Sequence, residues 1–206
     1  MFRLAAQSLL LATLCLSSAI AGPTDTEFSC AGPFGRDASH AALVQAFGAP
    51  NVSHEDVFVA GDTIPMTVVF PKDPERRLMV HWLDDDGRRG LGSVVIQSPA
   101  WTVGGATVGM SIAEVQRLNG RPFKLVDFLG SDNDGQVLDW QDGKLETPLP
   151  GGCRIGAVFG VNDADIDQVQ AAPHPDGLLS EDPALRAADP RLYELTVYFL
   201  GAEGGK

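Results

Sequence analysis

Two short stretches of the chain carry apolar residues at helical spacing and end at the same kind of stop signal. The stretch Ser39–Pro50 aligns without gaps to Ser111–Pro122, at a constant offset of 72 residues. In each copy apolar side chains recur three or four positions apart, which is the period of one helix face. A glycine ends each pattern, and a proline two residues later prevents its continuation. The spacing therefore predicts two short helices, capped by Asp37 or Ser39 in the first copy and by Ser111 in the second.

Six further segments are short and rich in β-branched, aromatic and other apolar residues, and some of them alternate apolar with polar positions, which is typical of β-strands. Within one of them the alternation predicts that Arg77, Met79 and His81 lie on one face, while the apolar positions between them face a helix-covered core. The polar connection Asp84–Gly87 predicts a hairpin turn. The predicted strands are Thr67–Phe70, Arg77–Trp82, Ser93–Gln97, Gln136–Trp140, Arg154–Phe159 and Leu192–Phe199.

These elements predict an α+β fold of two tandem repeats, each with short helices packed on an antiparallel sheet. The first repeat is expected at residues 22–100 and the second at residues 101–201. The second repeat contains an acidic insertion at residues 162–190, and residues 202–206 are expected to form a flexible tail.

Part of the acidic insertion carries its own helix signal. Pro183 is placed for the first helical position, behind Ser180 or Asp182 as the N-cap. We therefore expect a short helix from this point to about Ala188. The rest of the insertion is polar and rich in proline and glycine, which is typical of turns.

The first 21 residues have the layout of a secretory signal peptide. Arg3 supplies a positive charge, an apolar run of about ten residues follows, and Ala19-Ile20-Ala21 offers small residues before Gly22. The run is too short to span a bilayer, and no later stretch approaches the length of about 18 apolar residues that a spanning helix needs. Leu14, directly before Cys15, is not the small residue that lipidation requires. We expect an exported protein without a membrane span, located in the periplasm if the host is a Gram-negative bacterium.

The charge balance and the cysteines restrict the possible partners and the compartment. The formal net charge is -12 at pH 7, which argues against nucleic acid and anionic membrane surfaces as partners. Cys30 and Cys153 are the cysteines that would remain after cleavage of the signal peptide. In an oxidising compartment this even pair predicts a disulfide bond. A redox or metal-binding pair is the alternative, although no C-x-x-C motif or neighbouring histidine supports it.

The second helix carries the most distinctive motif, Gly109-Met110-Ser111-Ile112-Ala113-Glu114-Val115, in which Ser111 and Glu114 form a capping box. Together with the glycine-x-proline stop and the paired strands, it resembles the SmpA/OmlA-like superfamily, which includes the outer-membrane β-barrel assembly lipoprotein. A tandem arrangement also resembles the secreted β-lactamase-inhibitory proteins. The resemblance covers residues 37–97 and 105–199, and the stretch Phe28–Phe47 is similar to proteobacterial periplasmic proteins. It implies helices laid on antiparallel sheets and action through protein–protein contact.

The residues that usually carry catalysis or metal binding do not form a motif in this sequence. No nucleophile elbow is present, and the histidines lack the spacing of a zinc site. Asp84–Gly87 and Asp132–Gly135 resemble calcium loops, but their first and twelfth positions lack carboxylates, so hairpin turns explain both better. We therefore predict no catalytic residue, no metal ligand and no cofactor. The four histidines are His40, His54, His81 and His174.

The sequence thus favours a non-catalytic binding or inhibitor-like module in the periplasm, whose partner is another exported or envelope protein. Trp82 and Trp140 are expected in the core, and Trp101 is expected to be exposed, where an aromatic residue can anchor an interface. The alternative is a small-molecule or metal-binding protein, or a minor hydrolase, that uses His81 with the acidic loops. The candidate partner-binding residues are Arg77, Met79, His81, Trp101, Arg154, Val158 and Tyr198.

Overall fold

The computed structural model describes most of the chain after its N-terminal segment. The predicted signal peptide and the predicted tail at 202–206 lie outside the described part, as do His174 and two residues of the second acidic turn. The described residues are 26–59, 61–131, 134–170 and 176–200.

Antiparallel β-structure dominates the described residues, and the helices are few and short, so the mixed α and β fold class is confirmed. The helices are α1 (His40–Phe47), α2 (Ile112–Asn119), α3 (Ile166–Val169) and α4 (Pro183–Ala188). The strands are β1 (Thr26–Glu27), β2 (Val52–Val59), β3 (Asp62–Val69), β4 (Leu78–Asp84), β5 (Arg89–Ile96), β6 (Trp101–Val103), β7 (Ala106–Thr107), β8 (Lys124–Leu125), β9 (Val137–Asp139), β10 (Cys153–Gly160), β11 (Leu178–Leu179) and β12 (Arg191–Phe199).

Six strands form a central antiparallel sheet in the order β10-β12-β5-β4-β3-β2. All six predicted strands are present at about their predicted positions, and five of them belong to this sheet. Because β10 and β12 come from the second half of the chain, both halves share one sheet. The arrangement of two repeats, each with its own sheet, is therefore not confirmed.

Both predicted helix copies are present with the predicted ends. Ser39 caps α1 by accepting a hydrogen bond from the backbone of Ala42, which decides between the two proposed caps. Ser111 and Glu114 form the predicted capping box at the start of α2, and Gly120 ends α2 in the left-handed conformation. The helix predicted inside the acidic insertion is α4, which Asp182 caps.

One face of the central sheet forms the core. The alternation in β4 places Leu78, Val80 and Trp82 on this face, where all three are buried as predicted. The indole of Trp82 donates a hydrogen bond to the buried hydroxyl of Thr67, and the imidazole of His40 in α1 lies 2.9 Å from the same oxygen. These contacts hold α1 against the core face.

Smaller sheets and a disulfide extend the core beyond β10. An isolated bridge between Gln136 and Val158 links the outer edge of β10 to the small sheet β11-β8-β9. The predicted disulfide between Cys30 and Cys153 is present, and it ties the N-terminal segment to the first residue of β10. None of the helices in the described ranges is long and apolar enough to cross a membrane.

Candidate functional site: the open face of the central sheet

The candidate site is the face of the central sheet that points away from the core, called the open face below. The buried side chains of all four described helices belong to the core on the opposite side. No helix of the described chain packs on the open face, which is exposed over β4, β5, β12 and β10, whereas Met66 and Val68 of β3 on the same face are buried. Its central residues, all partly exposed, are Arg77, Met79, His81, Ser93, Val95, Arg154, Gly156, Val158, Thr196 and Tyr198.

The strand register arranges most of these residues in two rows across β4, β5, β12 and β10. The first row consists of Met79, Val95, Thr196 and Gly156. The second row consists of His81, Ser93, Tyr198 and Arg154. Neighbouring strands lie about 4.8 Å apart, so each row spans about 14 Å. The first row is mostly apolar, and the second row carries the hydrogen-bonding and charged groups.

Six of the seven predicted partner-binding residues lie on this face. The prediction rested on the alternation in single segments, and the register of the sheet brings the segments together. Arg77 lies two residues before Met79, and Val158 of β10 pairs with Glu194 of β12. Both therefore lie next to the first row, on the side away from the second row. The residues come from both halves of the chain, so neither half alone contains the whole surface.

Trp101 is the exception, and the prediction that it is exposed is wrong. Its side chain is only 3% exposed, and its indole donates a hydrogen bond to the backbone carbonyl of Arg76 at 3.0 Å. The strand β6 that carries it packs its apolar residues into the core. Trp82 and Trp140 are buried as predicted.

A salt bridge between Arg77 and Glu55 borders the open face on the side of β2. The two charged groups lie 2.9 Å apart and span β3, where Val68 is fully buried. A hydrogen bond from the Ser53 hydroxyl, and then the Arg77 guanidinium, lower the pKa of Glu55 below its ordinary value, while desolvation acts against them. Glu55 is therefore ionised at neutral pH and keeps Arg77 in place.

A second salt bridge borders the open face on the side of β10. Nη1 of Arg154 donates hydrogen bonds to the carboxylate of Glu146 at 2.8 Å and to its backbone carbonyl at 3.2 Å. The Nε atom of Arg154 is buried and has no hydrogen-bond partner among the described residues. The two hydrogen bonds to Glu146 hold the guanidinium of Arg154 at the edge of the open face.

His81 lies against the backbone of the neighbouring strand at a β-bulge. A Cβ atom on Gly92 would lie 2.6 Å from Nδ1 of His81, so only glycine leaves room for the ring in this position. Nε2 of His81 lies 4.0 Å from the carboxylate of Asp85. The alternative function predicts that His81 acts together with the acidic loops. Among the described residues, this is the contact between them.

Hydrogen bonds within the chain hold the acidic turn beside His81 in place. Asp84 accepts hydrogen bonds from the backbone of Gly87 at 2.9 Å and from Arg89 at 2.6 Å. These two partners lower the pKa of Asp84. The turn closes the β4–β5 hairpin, as predicted. Within the described ranges, no group of three or more His, Cys, Asp or Glu side chains is placed to hold a metal ion.

The sequence analysis missed several members of the open face. Val95 and Thr196 lie in predicted strands, and their partnership with Met79 follows only from the register of the sheet. Thr196 follows the alternation of β12, whereas Val95 stands in the apolar run Val94–Ile96, where the sequence does not distinguish the two faces. Gly156 gave no sequence signal. It has no side chain, and it contributes to the open face only by leaving space there.

Comparison with known proteins adds no further information about the site. Neither a family model, nor a curated protein, nor a solved structure matches this chain.

Proposed function

We propose that this protein is an exported, non-catalytic binding module whose open face meets another exported or envelope protein. In a Gram-negative host the compartment is the periplasm. The resemblance of the sequence to the SmpA/OmlA-like superfamily and to the β-lactamase-inhibitory proteins agrees with a role in protein contact. The two helix copies, each with a serine cap and a glycine stop, agree with the internal duplication that this resemblance implies.

The observation that carries the proposal is the convergence of six predicted partner residues on one uncovered sheet face. Met79, Val95 and Val158 supply apolar area, and Tyr198 adds an aromatic ring with a polar end. Aromatic and arginine side chains dominate the binding energy of protein interfaces, and apolar area supports them. Arg77 and Arg154 are already oriented by their carboxylate partners, so less side-chain entropy is lost when a partner binds.

The charge of the molecule indicates what kind of partner fits. Loss of Arg3 with the signal peptide would change the formal net charge from -12 to -13. A partner with a basic surface would associate faster through long-range attraction, and added salt would slow that association. Both arginines of the open face are paired with carboxylates at its borders, Glu55 and Glu146, so the contribution of the face to binding is expected to come from apolar contact and hydrogen bonds.

The proposal is tested by crosslinked capture from an envelope extract with a variant that obstructs the open face. A Cβ atom at Gly156 would meet its nearest neighbour, Cβ of Thr196, at an ordinary distance of 3.6 Å. Gly156→Gln therefore keeps the fold and projects a long side chain over the first row. Wild-type protein should capture a discrete partner, and Gly156→Gln should capture far less of it.

Ala41→Gln is the matched control. Ala41 is an exposed residue of α1, on the opposite side of the sheet. This variant should capture the partner as well as wild type does, and both variants should melt close to the wild-type temperature. Equal capture by wild type and Gly156→Gln, or no capture by any of them after crosslinking, would contradict the proposal.

A further inference from the structure

A cleft of about 490 Å³ lies between α2, the turn that follows it and the N-terminal approach to α4. Gln116, Arg117 and Gly120 line it from α2 and its C-cap, because residues three and four apart share one face of a helix. Arg121 lines it from the following turn, and Arg186 lines it from α4. Its size falls within the range of small-molecule sites, about 300–1,000 Å³. This cleft is separate from the open face.

The cleft is positively charged although the chain is acidic. Three guanidinium groups, those of Arg117, Arg121 and Arg186, line it together with the single carboxylate of Glu181. No salt bridge of the described chain includes Arg117 or Arg186, whereas Arg121 lies 3.8 Å from Asp142. Arg117 and Arg186 each occupy the last turn of their helix, where the helix dipole favours a cation. Within the described residues the side chain of Arg117 makes no hydrogen bond and that of Arg186 makes one, to Gln116, so most of their N–H donors have no protein partner there.

A buried hydrogen-bond network holds one of these arginines in position. The hydroxyl of Ser180, which is fully buried, accepts a hydrogen bond from the backbone of Phe123 at 3.0 Å and donates one to Oε1 of Gln116 at 2.7 Å. Nη2 of Arg186 donates to the same oxygen at 2.5 Å. The network holds the amide oxygen of Gln116 and the Nη2 end of the Arg186 guanidinium, and the other guanidinium nitrogens of Arg186 make no hydrogen bond to any described residue. Binding to a group held in this way loses little side-chain entropy.

We propose that this cleft binds a small molecule through a carboxylate group. The planar fork of an arginine matches the two oxygens of a carboxylate, and Arg117 and Arg186 supply two such forks. Ala113 and Pro122 give the cleft an apolar side, which inorganic phosphate would leave uncovered. The preferred ligand is therefore a monocarboxylate with an apolar body, which this side can accept.

The test is an amide chemical-shift titration of the isotope-labelled protein with benzoate, with its neutral isostere benzamide, and with inorganic phosphate. Benzoate should shift the amides of residues 116–121 and 181–186 with saturation, and benzamide should not. Arg117→Gln should weaken benzoate binding about tenfold, which corresponds to the loss of one charge-assisted hydrogen bond. Arg117 is exposed, so this variant is expected to fold.

Arg89→Gln is the matched control, because it removes the same charge at the β4–β5 hairpin and should leave the benzoate affinity unchanged. The absence of a saturable shift with benzoate would overturn the proposal. Equal affinity for benzoate and benzamide, phosphate binding at least as tight as benzoate binding, or an unchanged affinity in Arg117→Gln would each overturn it as well. The outcome is independent of partner capture at the open face.

Discussion

At the scale of single residues, the contact between His40, Thr67 and Trp82 determines where the hydrogens lie. An indole can only donate, so the hydroxyl oxygen of Thr67 accepts from Trp82 at 2.9 Å. The buried hydroxyl then needs an acceptor for its own hydrogen, and Nδ1 of His40 lies 2.9 Å away. The arrangement that uses every group has neutral His40 with its hydrogen on Nε2. Protonation of His40 would place a second donor against Thr67 and leave the buried hydroxyl hydrogen without an acceptor.

The first prediction is that His40 makes folding stability depend on pH. Burial, and then the positive charges of Arg88 and His54, lower the pKa of His40 from its ordinary value of 6.5. The unfolded chain therefore binds more protons than the folded protein, and the contribution of His40 to stability is complete above pH 6.5 and is lost as the pH falls below it. Urea unfolding between pH 8 and pH 5 should show a smaller loss of stability in His40→Gln than in wild type. Ala41→Gln, at an exposed position beside His40 in α1, is the control and should keep the wild-type pH dependence; identical slopes in all three proteins would contradict the prediction.

The second prediction concerns Gly156 on the open face and Gly92 at the β-bulge beside His81. A Cβ at Gly92 would lie 2.6 Å from Nδ1 of His81 and 3.1 Å from its backbone oxygen, whereas a Cβ at Gly156 would meet nothing closer than 3.6 Å. Gly92→Ala should therefore lower the free energy of unfolding by about 1–3 kcal/mol and move the His81 ring. Gly156→Ala should change it by less than about 1 kcal/mol. Chemical denaturation measures the free energy of unfolding of both variants. Equal losses would contradict the inference that the His81 ring needs the space at Gly92.

At the scale of helices and strands, sequence patterns predicted the elements in which apolar side chains alternate or recur over several residues. The capping signals of α1, α2 and α4 and the strands with a buried face were identified because hydrogen bonding and burial leave a local pattern. Strand β2 was missed, since its centre, His54-Glu55-Asp56, is polar and it lies at the edge of the sheet. Very short strands such as β1 and β11 were also missed, because two residues carry no periodicity.

The third prediction tests the capping box of α2. The Ser111 hydroxyl accepts a hydrogen bond from the backbone of Glu114 at 3.2 Å, and the Glu114 carboxylate accepts one from the backbone of Ser111 at 2.8 Å. Ser111→Ala removes the first bond and also the one that the Ser111 hydroxyl donates to the Glu114 carboxylate at 2.8 Å. It should cost about 1 kcal/mol, within the usual range of about 0.5–2 kcal/mol for a lost N-cap. Ser29→Ala, at an exposed serine, is the control and should change stability by less than about 0.5 kcal/mol. Equal stability of Ser111→Ala and Ser29→Ala in urea titrations would contradict a stabilising role of the box.

At the scale of the whole molecule, the disulfide and the shared sheet join distant parts of the chain. Cys30 and Cys153 are 123 residues apart, and the bond fixes the segment before α1 to β10 at the far edge of the central sheet. The existence of this pair was predictable from the number of cysteines. The single shared sheet was not predictable, because pairing between β5 and β12 depends on contacts between residues about 100 positions apart.

The fourth prediction is that the disulfide supplies much of the stability. Closing a loop of this length restricts the unfolded chain by about 4–5 kcal/mol in the chain-entropy description. Wild-type protein should therefore melt well below its normal temperature once reductant is present. A double variant, Cys30→Ala with Cys153→Ala, should melt at the lower temperature with or without reductant. The same melting temperature for oxidised and reduced wild type would contradict the prediction.

Sequence patterns predicted most of the exposed residues of the candidate site, and one prediction was wrong. Alternation within β4, β10 and β12 identified the residues that point away from the core, and the sheet brought them together. Trp101 was assigned wrongly, because a position between two predicted repeats suggested exposure, whereas its strand packs into the core. Alternation gives the direction of a side chain relative to its own strand, and it does not indicate what packs against a short strand between two larger elements.

The most direct test of the proposed function is photo-crosslinking in the cell, with a photoreactive amino acid placed at Val95 in the centre of the open face. The same amino acid at Asp163, an exposed residue of the acidic insertion, serves as the control. The proposal predicts that the Val95 position forms one discrete adduct with another exported or envelope protein, that Asp163 forms none of it, and that Gly156→Gln abolishes the adduct. An adduct of equal yield at Asp163, or no adduct at Val95 while the protein is exported and folded, would contradict the proposal that the open face binds a protein partner.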